Sequence, residues 1–485
     1  MKKVNILLLI LIGLNFGISA QMVVGNQKLY GNEWIDYSQT YVKIPIVQDG
    51  IYRLTATAMQ AAGIPLSTVA ANRFQLFKLG QEVPIFTSTE AILSSNDYIE
   101  FFGERNRAEL DVFMYKNKKD DMLNTEHNLV NDTSVYFLTW RAIPSTHRFQ
   151  TVANNLTNLP SKEAWFWHNE KFIGIDREIP YDISGGSAVY LPEMNTGEGY
   201  GTDFSNSRTI TLNPQFMADG PDGKLSLRWT GNYKNHYTNI SVSGQVIAID
   251  TANGYTFRDK TYNIASTLIK NNMPIQIVGA YEANDNHSLG VATLDYARQF
   301  NFDGKNQFIF KIAALTSVKY LEITNFLAGT AAPILYDVTN KTRIITTLES
   351  GIVKVALPAS TSERTLILVA NSASTNISII IPTAFVDLKS DGGNYIMITN
   401  ARFMNDGTGK NYVQDYANYR ASTEGGSFKS KVIDIQQIYE QFGYGVNRHP
   451  LCLRNFAFYI KKKLTFAKAA KILPFSKNVS VACSW

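Results

Sequence analysis

A cysteine nucleophile needs a thiolate and a neighbouring imidazole to take its proton. The 485-residue chain has two cysteines, Cys452 and Cys483, and six histidines. His449 and Cys452 stand three residues apart, a spacing that puts both on one face of a helix. Their neighbours Leu451, Leu453 and Phe456 are apolar. A thiol among them is buried, which raises its pKa and quenches the nucleophile. The pair therefore reads as a core cysteine and a helix-entry histidine. Cys483 lies in the C-terminal tail with no histidine near it. Nothing in the spacing supports a disulfide between the two. No residue is assigned a catalytic, cofactor-binding or metal-binding role.

Other constellations read as structure. Glu282-Ala-Asn-Asp-Asn-His287 offers oxygen ligands for calcium but lacks a full loop spacing, so a polar turn is the reading. Trp165-Phe-Trp-His168 has the residues of a sugar-stacking platform, and equally those of a sandwich core, which is preferred. Gly185-Gly-Ser-Ala188 has no lysine and no helix after it, which excludes a phosphate loop. His127, His147, His168, His236 and His287 show no metal-ligand spacing. Lys461-Lys-Lys463 suits a solvated helix end.

The elements that hold His449 and Cys452 form an α/β pattern. Tyr395 to Ile398 is a short apolar run between Gly392-Gly393 and Asn400, the signature of a buried parallel strand. A helix is expected from Asn411 to Arg420, with Tyr412, Val413, Tyr416 and Tyr419 on one face and Gly425-Gly426 as its stop. A second strand is expected over Phe428–Asp434. A second helix starts at Pro450, whose missing N–H suits a first helical position, and carries Leu453, Phe456, Ala457 and Ile460 on one face. Strand, helix, strand, helix opens a parallel sheet.

Everything upstream reads as β. The first region, 21–175, has strands at Tyr41–Ile46 and Ile51–Thr55 joined by the Asp49-Gly50 turn, then at Phe74–Lys78, Val83–Phe86, Tyr98–Phe102 and Val135–Trp140. A short helix is expected over Thr57–Gly63, capped by Thr57, and Asn117–Asn131 is expected to be a solvated loop. The second region, 176–386, has Lys224–Trp229, a hairpin over Asn239–Ile247, and strands around Phe308–Ile312, Leu321–Ile323, Thr365–Ala370 and Ile377–Ile381. This frequency of short strands points to sandwich or jelly-roll domains. The α/β segment follows at 387–463, and 464–485 is an atypical tail.

Residues 1–20 read as a cleaved secretory leader, with Lys2 and Lys3, the apolar run Ile6–Ile12 and Ala20 before the cut. No later stretch is long and apolar enough for a transmembrane helix. The net charge of +5 is misleading. The leader holds +2 of it and the stretch after Glu440 holds +8, which leaves the body at −5. Nucleic acid is not an expected partner.

The ordered set Gly393-Asn-Tyr-Ile-Met-Ile-Thr-Asn400, Val413-Gln-Asp-Tyr-Ala-Asn-Tyr-Arg420, Val432-Ile-Asp-Ile-Gln-Gln-Ile-Tyr439 and Phe442-Gly-Tyr-Gly445 resembles the entry to the catalytic domain of gingipain-type cysteine peptidases. Upstream, Tyr41–Arg53, Tyr98–Arg105 and Ala332–Thr339 resemble the β-rich region of the same family, nearest its sortase-like members in type IX secretion. The resemblance implies a caspase-like α/β fold and a cysteine endopeptidase of secreted cargo, placed outside the cell or at its surface. It implies protein or peptide substrates and secretion-system components as partners, and no cofactor. In the family, the catalytic His and Cys follow later strands. The expectation is thus a chain cut short before them and inactive as written, with a frameshift near Lys461-Lys-Lys463. The alternative is a non-enzymatic β-sandwich surface-binding or accessory protein.

Overall fold

The computed structural model describes residues 22–180, 193–232, 235–389 and 393–463. The leader, Gly185–Ala188, Cys483 and the tail from 464 lie outside the described residues. The chain is mainly β, with an α/β segment at the C-terminal end.

The first sandwich is built on alternation. Val42, Ile44 and Ile46 point to one side of Tyr41–Ile46, a strand paired with Ser134–Trp140 and with Ile381–Thr383. A second sheet, Gly50–Thr55, Tyr98–Gly103 and Ile85–Thr87, covers that side through Leu54, Ile99 and Phe101. The opposite side is also buried, because Tyr41, Phe77 and Phe137 pack beneath Trp34 and Phe385.

Two more sandwiches follow. In one, Trp165–Ile173, His287–Gln299, Gly223–Gly231 and Thr256–Ile264 face Ser207–Leu212, Met273–Gly279, His236–Val242 and Gln245–Ala252. Leu225, Leu227, Trp229, Ile240, Val242, Ile275 and Leu294 fill the space between. In the other, a phenylalanine-rich core holds Phe300, Phe302 and Phe310 between sheets that include Arg364–Val369 and Lys319–Phe326. This last sandwich docks on the first, where the Tyr336 hydroxyl donates to Glu100 Oε2 at 2.6 Å and Arg53 pairs with the same carboxylate at 2.7 Å.

Several sequence expectations need correction. Val83–Phe86 is two strands in two sheets, because Pro84 lacks the N–H that a continuous ladder needs. The short helix is Ala56–Ala61, and its cap is Thr55, whose Oγ1 accepts from the Ala58 N–H at 3.2 Å. Asn117–Asn131 is not a solvated loop. Asp121, Asn124 and Asn128 are buried, and Asn124 Oδ1 satisfies the N–H groups of Glu126 and His127 at 2.9 and 3.0 Å. Local side-chain acceptors let a polar loop go inside. Ile377–Ile381 is not a buried strand, since Ile379 and Ile381 are exposed and strands form only at Thr375–Asn376 and Ile381–Thr383. These two return to the first sandwich, and Gln150–Val152 pairs forward with Thr342–Ile345. Sheet membership therefore crosses the line drawn at 175. Very short edge strands carry no local signal of their partner.

In the C-terminal segment, Tyr395–Thr399 and Ser430–Asp434 are parallel, with Tyr395 opposite Ser430. The connecting helix is Tyr412–Ala421, capped by Asn411 and ended at Ser422 rather than at the glycine pair. Its expected tyrosine face points outward, and Ala417 is the buried residue. A further helix, Ile435–Phe442, was not expected. Asp434 caps it, Ile438 and Phe442 are buried, and Gly443 follows. The last helix, Pro450–Lys463, buries Leu451, Cys452, Asn455, Phe456 and Tyr459 and leaves Leu453 exposed, a face one step from that expected. Asn455 sits inside because its Nδ2 donates to the Phe442 carbonyl at 3.0 Å.

Candidate functional site

The joint between the α/β segment and the first sandwich is where His449 and Cys452 sit. His449 immediately precedes the last helix and is fully buried. Its Nδ1 accepts from the Leu451 N–H at 3.1 Å, so Nδ1 carries the lone pair. Its Nε2–H then donates to Asp111 Oδ1 at 2.7 Å. Asp111 also accepts from Asn128 Nδ2 and the Leu129 N–H, both at 3.0 Å. Both ring nitrogens are thus spent on structure, and neither faces a thiol. Cys452 Sγ lies 3.8 Å from the Val446 carbonyl, and burial pushes its thiol up to about 12. A Cβ on Gly443 would fall 1.9 Å from that sulfur, so nothing can approach it from there. Core cysteine and helix-entry histidine is what the structure holds.

The same joint is tied by other contacts. The Tyr37 hydroxyl donates to Gln441 Oε1 at 2.9 Å, and Lys43 pairs with Glu440. Gly31, at φ +102°, lets the backbone pass Phe442, whose carbonyl oxygen would lie 3.0 Å from an added Cβ.

Trp165 and Trp167 lie on the outer face of their strand, with ring centroids 5.3 Å apart and planes at 80°. Phe166, between them, enters the phenylalanine core. The two indoles border an open cleft of about 680 Å³, rimmed by Asn169, Lys224, Asp295, Lys311 and Glu363. His168 points back toward Phe308, and burial, helped by Arg298, lowers its pKa to about 4.

Glu282–His287 is a turn, but not merely that. It brings Asp285 and His287 against His236, and the three are buried with their ligand atoms within 4.8 Å of one another. The histidine spacing gave no sign of this, because His236 and His287 are far apart in the chain and meet across the two sheets of the sandwich.

Comparison with known proteins gives a family match for the C-terminal segment and a fold match for nearly the whole chain. The family model of peptidase family C25 matches residues 389–473. This segment is similar to family C25 peptidases. The fold of nearly the whole chain is that of latent dimeric PorU from Porphyromonas gingivalis, with a TM-score of 0.58 at 14% identity over 90% of this chain. The chain spans 41% of that protein's length. A CBM36-1 domain of a multidomain xylanase from the hindgut metagenome of Trinervitermes trinervoides matches 27% of this chain and 96% of its own at 12% identity, but with a TM-score of only 0.17. No curated protein sequence matches the chain. The resemblance to gingipain-type cysteine peptidases therefore holds, as family in the C25 segment and as fold beyond it.

Among the described residues of the C25 segment, the only cysteine is Cys452, and it is closed off as shown above. No helix of the described residues is long and apolar enough to cross a membrane.

Proposed function

We propose that this chain serves a secreted, sortase-like cysteine endopeptidase of type IX secretion, which processes secreted cargo proteins. The β-rich regions 21–175 and 176–386 act as a platform, and the segment from 387 is the catalytic-domain entry seated on it. The observation that carries this reading is the C25 match on a parallel strand–helix–strand unit locked to the first sandwich through His449 and Asp111. Among the described residues the one thiol, Cys452, is buried, protonated and without a base, and on that ground we expect no peptide hydrolysis by the 485-residue chain alone. The test is incubation of the purified chain with a mixture of peptide substrates. Turnover that disappears in Cys452→Ala would overturn the reading. Cleavage of the leader after Ala20 places the protein outside the cell, and N-terminal sequencing of secreted material should begin at Gln21.

A second reading, a surface-binding module without enzymatic activity, is favoured by one observation, the cleft beside Trp165 and Trp167. One exposed and one half-buried indole rimmed by charged and amide groups suit a ligand with both apolar and polar faces. Saturable quenching of tryptophan fluorescence by a soluble hexasaccharide, lost in Trp167→Ala, would support it, and a flat titration would count against it.

A further inference from the structure

His236 presents an unusual demand. Its Nε2 faces two carbonyl oxygens, those of Asn232 at 2.9 Å and Gly254 at 3.1 Å. Its Nδ1 faces Asp285 Oδ1 at 2.6 Å. A neutral imidazole has one donor and one acceptor, so it cannot satisfy oxygen on both sides. The ring needs a second proton or a metal ion at Nδ1.

The surroundings are arranged around that point. Asp285 is fixed through its other oxygen, Oδ2, which accepts from the N–H groups of Tyr237 at 3.0 Å and Tyr281 at 3.2 Å. This leaves Oδ1 directed at the two rings. His287 Nε2 lies 3.2 Å from the same Oδ1 and 2.8 Å from Thr238 Oγ1, while its Nδ1 has no partner. The one ring atom of His287 in polar contact is therefore the one aimed into the cluster. The walls are close. A Cβ on Gly231 would fall 2.3 Å from His236 Nε2, and one on Gly279 would fall 2.0 Å from the Asp285 carbonyl oxygen. Asn206 Nδ2 ties down the turn by donating to the carbonyls of Gly279 and Asp285 at 2.9 and 3.3 Å.

We propose that His236, Asp285 and His287 form a structural binding site for one zinc-class divalent cation between the two sheets of this sandwich. Two imidazoles and a carboxylate are zinc-type ligands and do not suit calcium, which takes oxygens. The His236 Nε2–H donating to backbone carbonyls is the outer-shell support that fixes a ligating tautomer. Thr238 Oγ1 stands beside these ligand atoms, 2.8 Å from His287 Nε2. Ligands at ~2.1 Å from zinc stand about 3.4 Å apart. The His287–Asp285 separation already fits, and the His236–Asp285 pair opens by under about 1 Å as the ion replaces the proton between them. The ion would staple Tyr237's strand to the turn and to the facing sheet, in a place closed to solvent.

The test is metal analysis of the full chain purified without chelator, followed by unfolding with chelator and refolding in cobalt(II). The expected result is about one equivalent of zinc per chain, visible d–d absorption after cobalt refolding, and loss of both in Asp285→Asn and His287→Gln. Far-UV circular dichroism checks that each protein is folded, and the wild-type measurement stands even if a variant is not. Natively folded wild-type protein with less than about a tenth of an equivalent and no cobalt bands would overturn the proposal and leave a protonated His236–Asp285 pair in its place.

Discussion

Two buried His–Asp contacts, one at the joint of the C-terminal segment and one inside the second sandwich, look alike at 2.7 and 2.6 Å and behave differently. At the C25 joint, His449 meets a backbone N–H on one nitrogen and Asp111 on the other, so a neutral ring satisfies both. Inside the second sandwich, His236 meets oxygen on both nitrogens, and only a cation completes it. The first contact is a capped helix start that also fastens one region to another. The second is a charge site. Distance alone does not distinguish them, and the partner of the second nitrogen does.

The largest test of this difference is Asp285→Asn. It removes the carboxylate in contact with His236, which balances either a proton or a metal ion at Nδ1, and should destabilise the chain by about 3–5 kcal/mol in urea unfolding. A loss under ~1 kcal/mol would mean that neither a proton nor a metal ion ties His236 to Asp285. Asp111→Asn should cost less, about 2 kcal/mol, because an amide oxygen still accepts from His449 while the amide N–H₂ confronts the Leu129 N–H. Equal losses from the two variants would erase the distinction. Limited proteolysis of the Asp111 variant should release the 393–463 segment before the β regions are cut.

A half-buried histidine, His168, sharpens the comparison by having no carboxylate. His168 is held to about 4 by burial and by Arg298, well below the ordinary 6.5. It is neutral in the fold and takes up a proton more readily when unfolded. Its stabilising effect is therefore complete above pH ~6.5 and is lost as the pH falls toward ~4. Thermal melts from pH 7 to 5 should show a decline of which His168→Phe removes roughly 1–2 kcal/mol, and an unchanged slope in that variant would assign the decline elsewhere. The smallest effect concerns Cys452. Its thiol should resist alkylation in the native chain and react only on unfolding. Cys452→Ala should cost about 1 kcal/mol through lost packing. Rapid native labelling would reopen the question of a reactive thiol beside His449.

Part of this was legible in the residues. Strand alternation at Tyr41–Ile46 and Gly223–Gly231 follows from side chains that take opposite faces. The parallel pair followed from short apolar runs, and the helix at Tyr412–Ala421 from the recurrence of Tyr412, Val413, Tyr416 and Tyr419 at helical spacing. The helix Ile435–Phe442 was available as well, since Asp434, Ile435, Ile438, Phe442 and Gly443 are a cap, a 3–4 spacing and a stop. It was hidden by its direct continuation from a strand. Helix faces were less certain, because Tyr416 and Tyr419 can face water while Ala417 packs inward.

What the sequence by itself determined is local. It set the strand runs, the helix starts, and the reading of His449 as a helix entry beside a core thiol, because these depend on neighbours within a turn or a pleat. Only the tertiary structure decided which surfaces meet. Asp111 reaches His449 because a polar loop folds inward on its own acceptors. His236 and His287 meet because one strand pairs with Met273–Gly279 in one sheet while the other pairs with Gly223–Gly231 in the facing sheet. No residue near either histidine in the chain encodes that register.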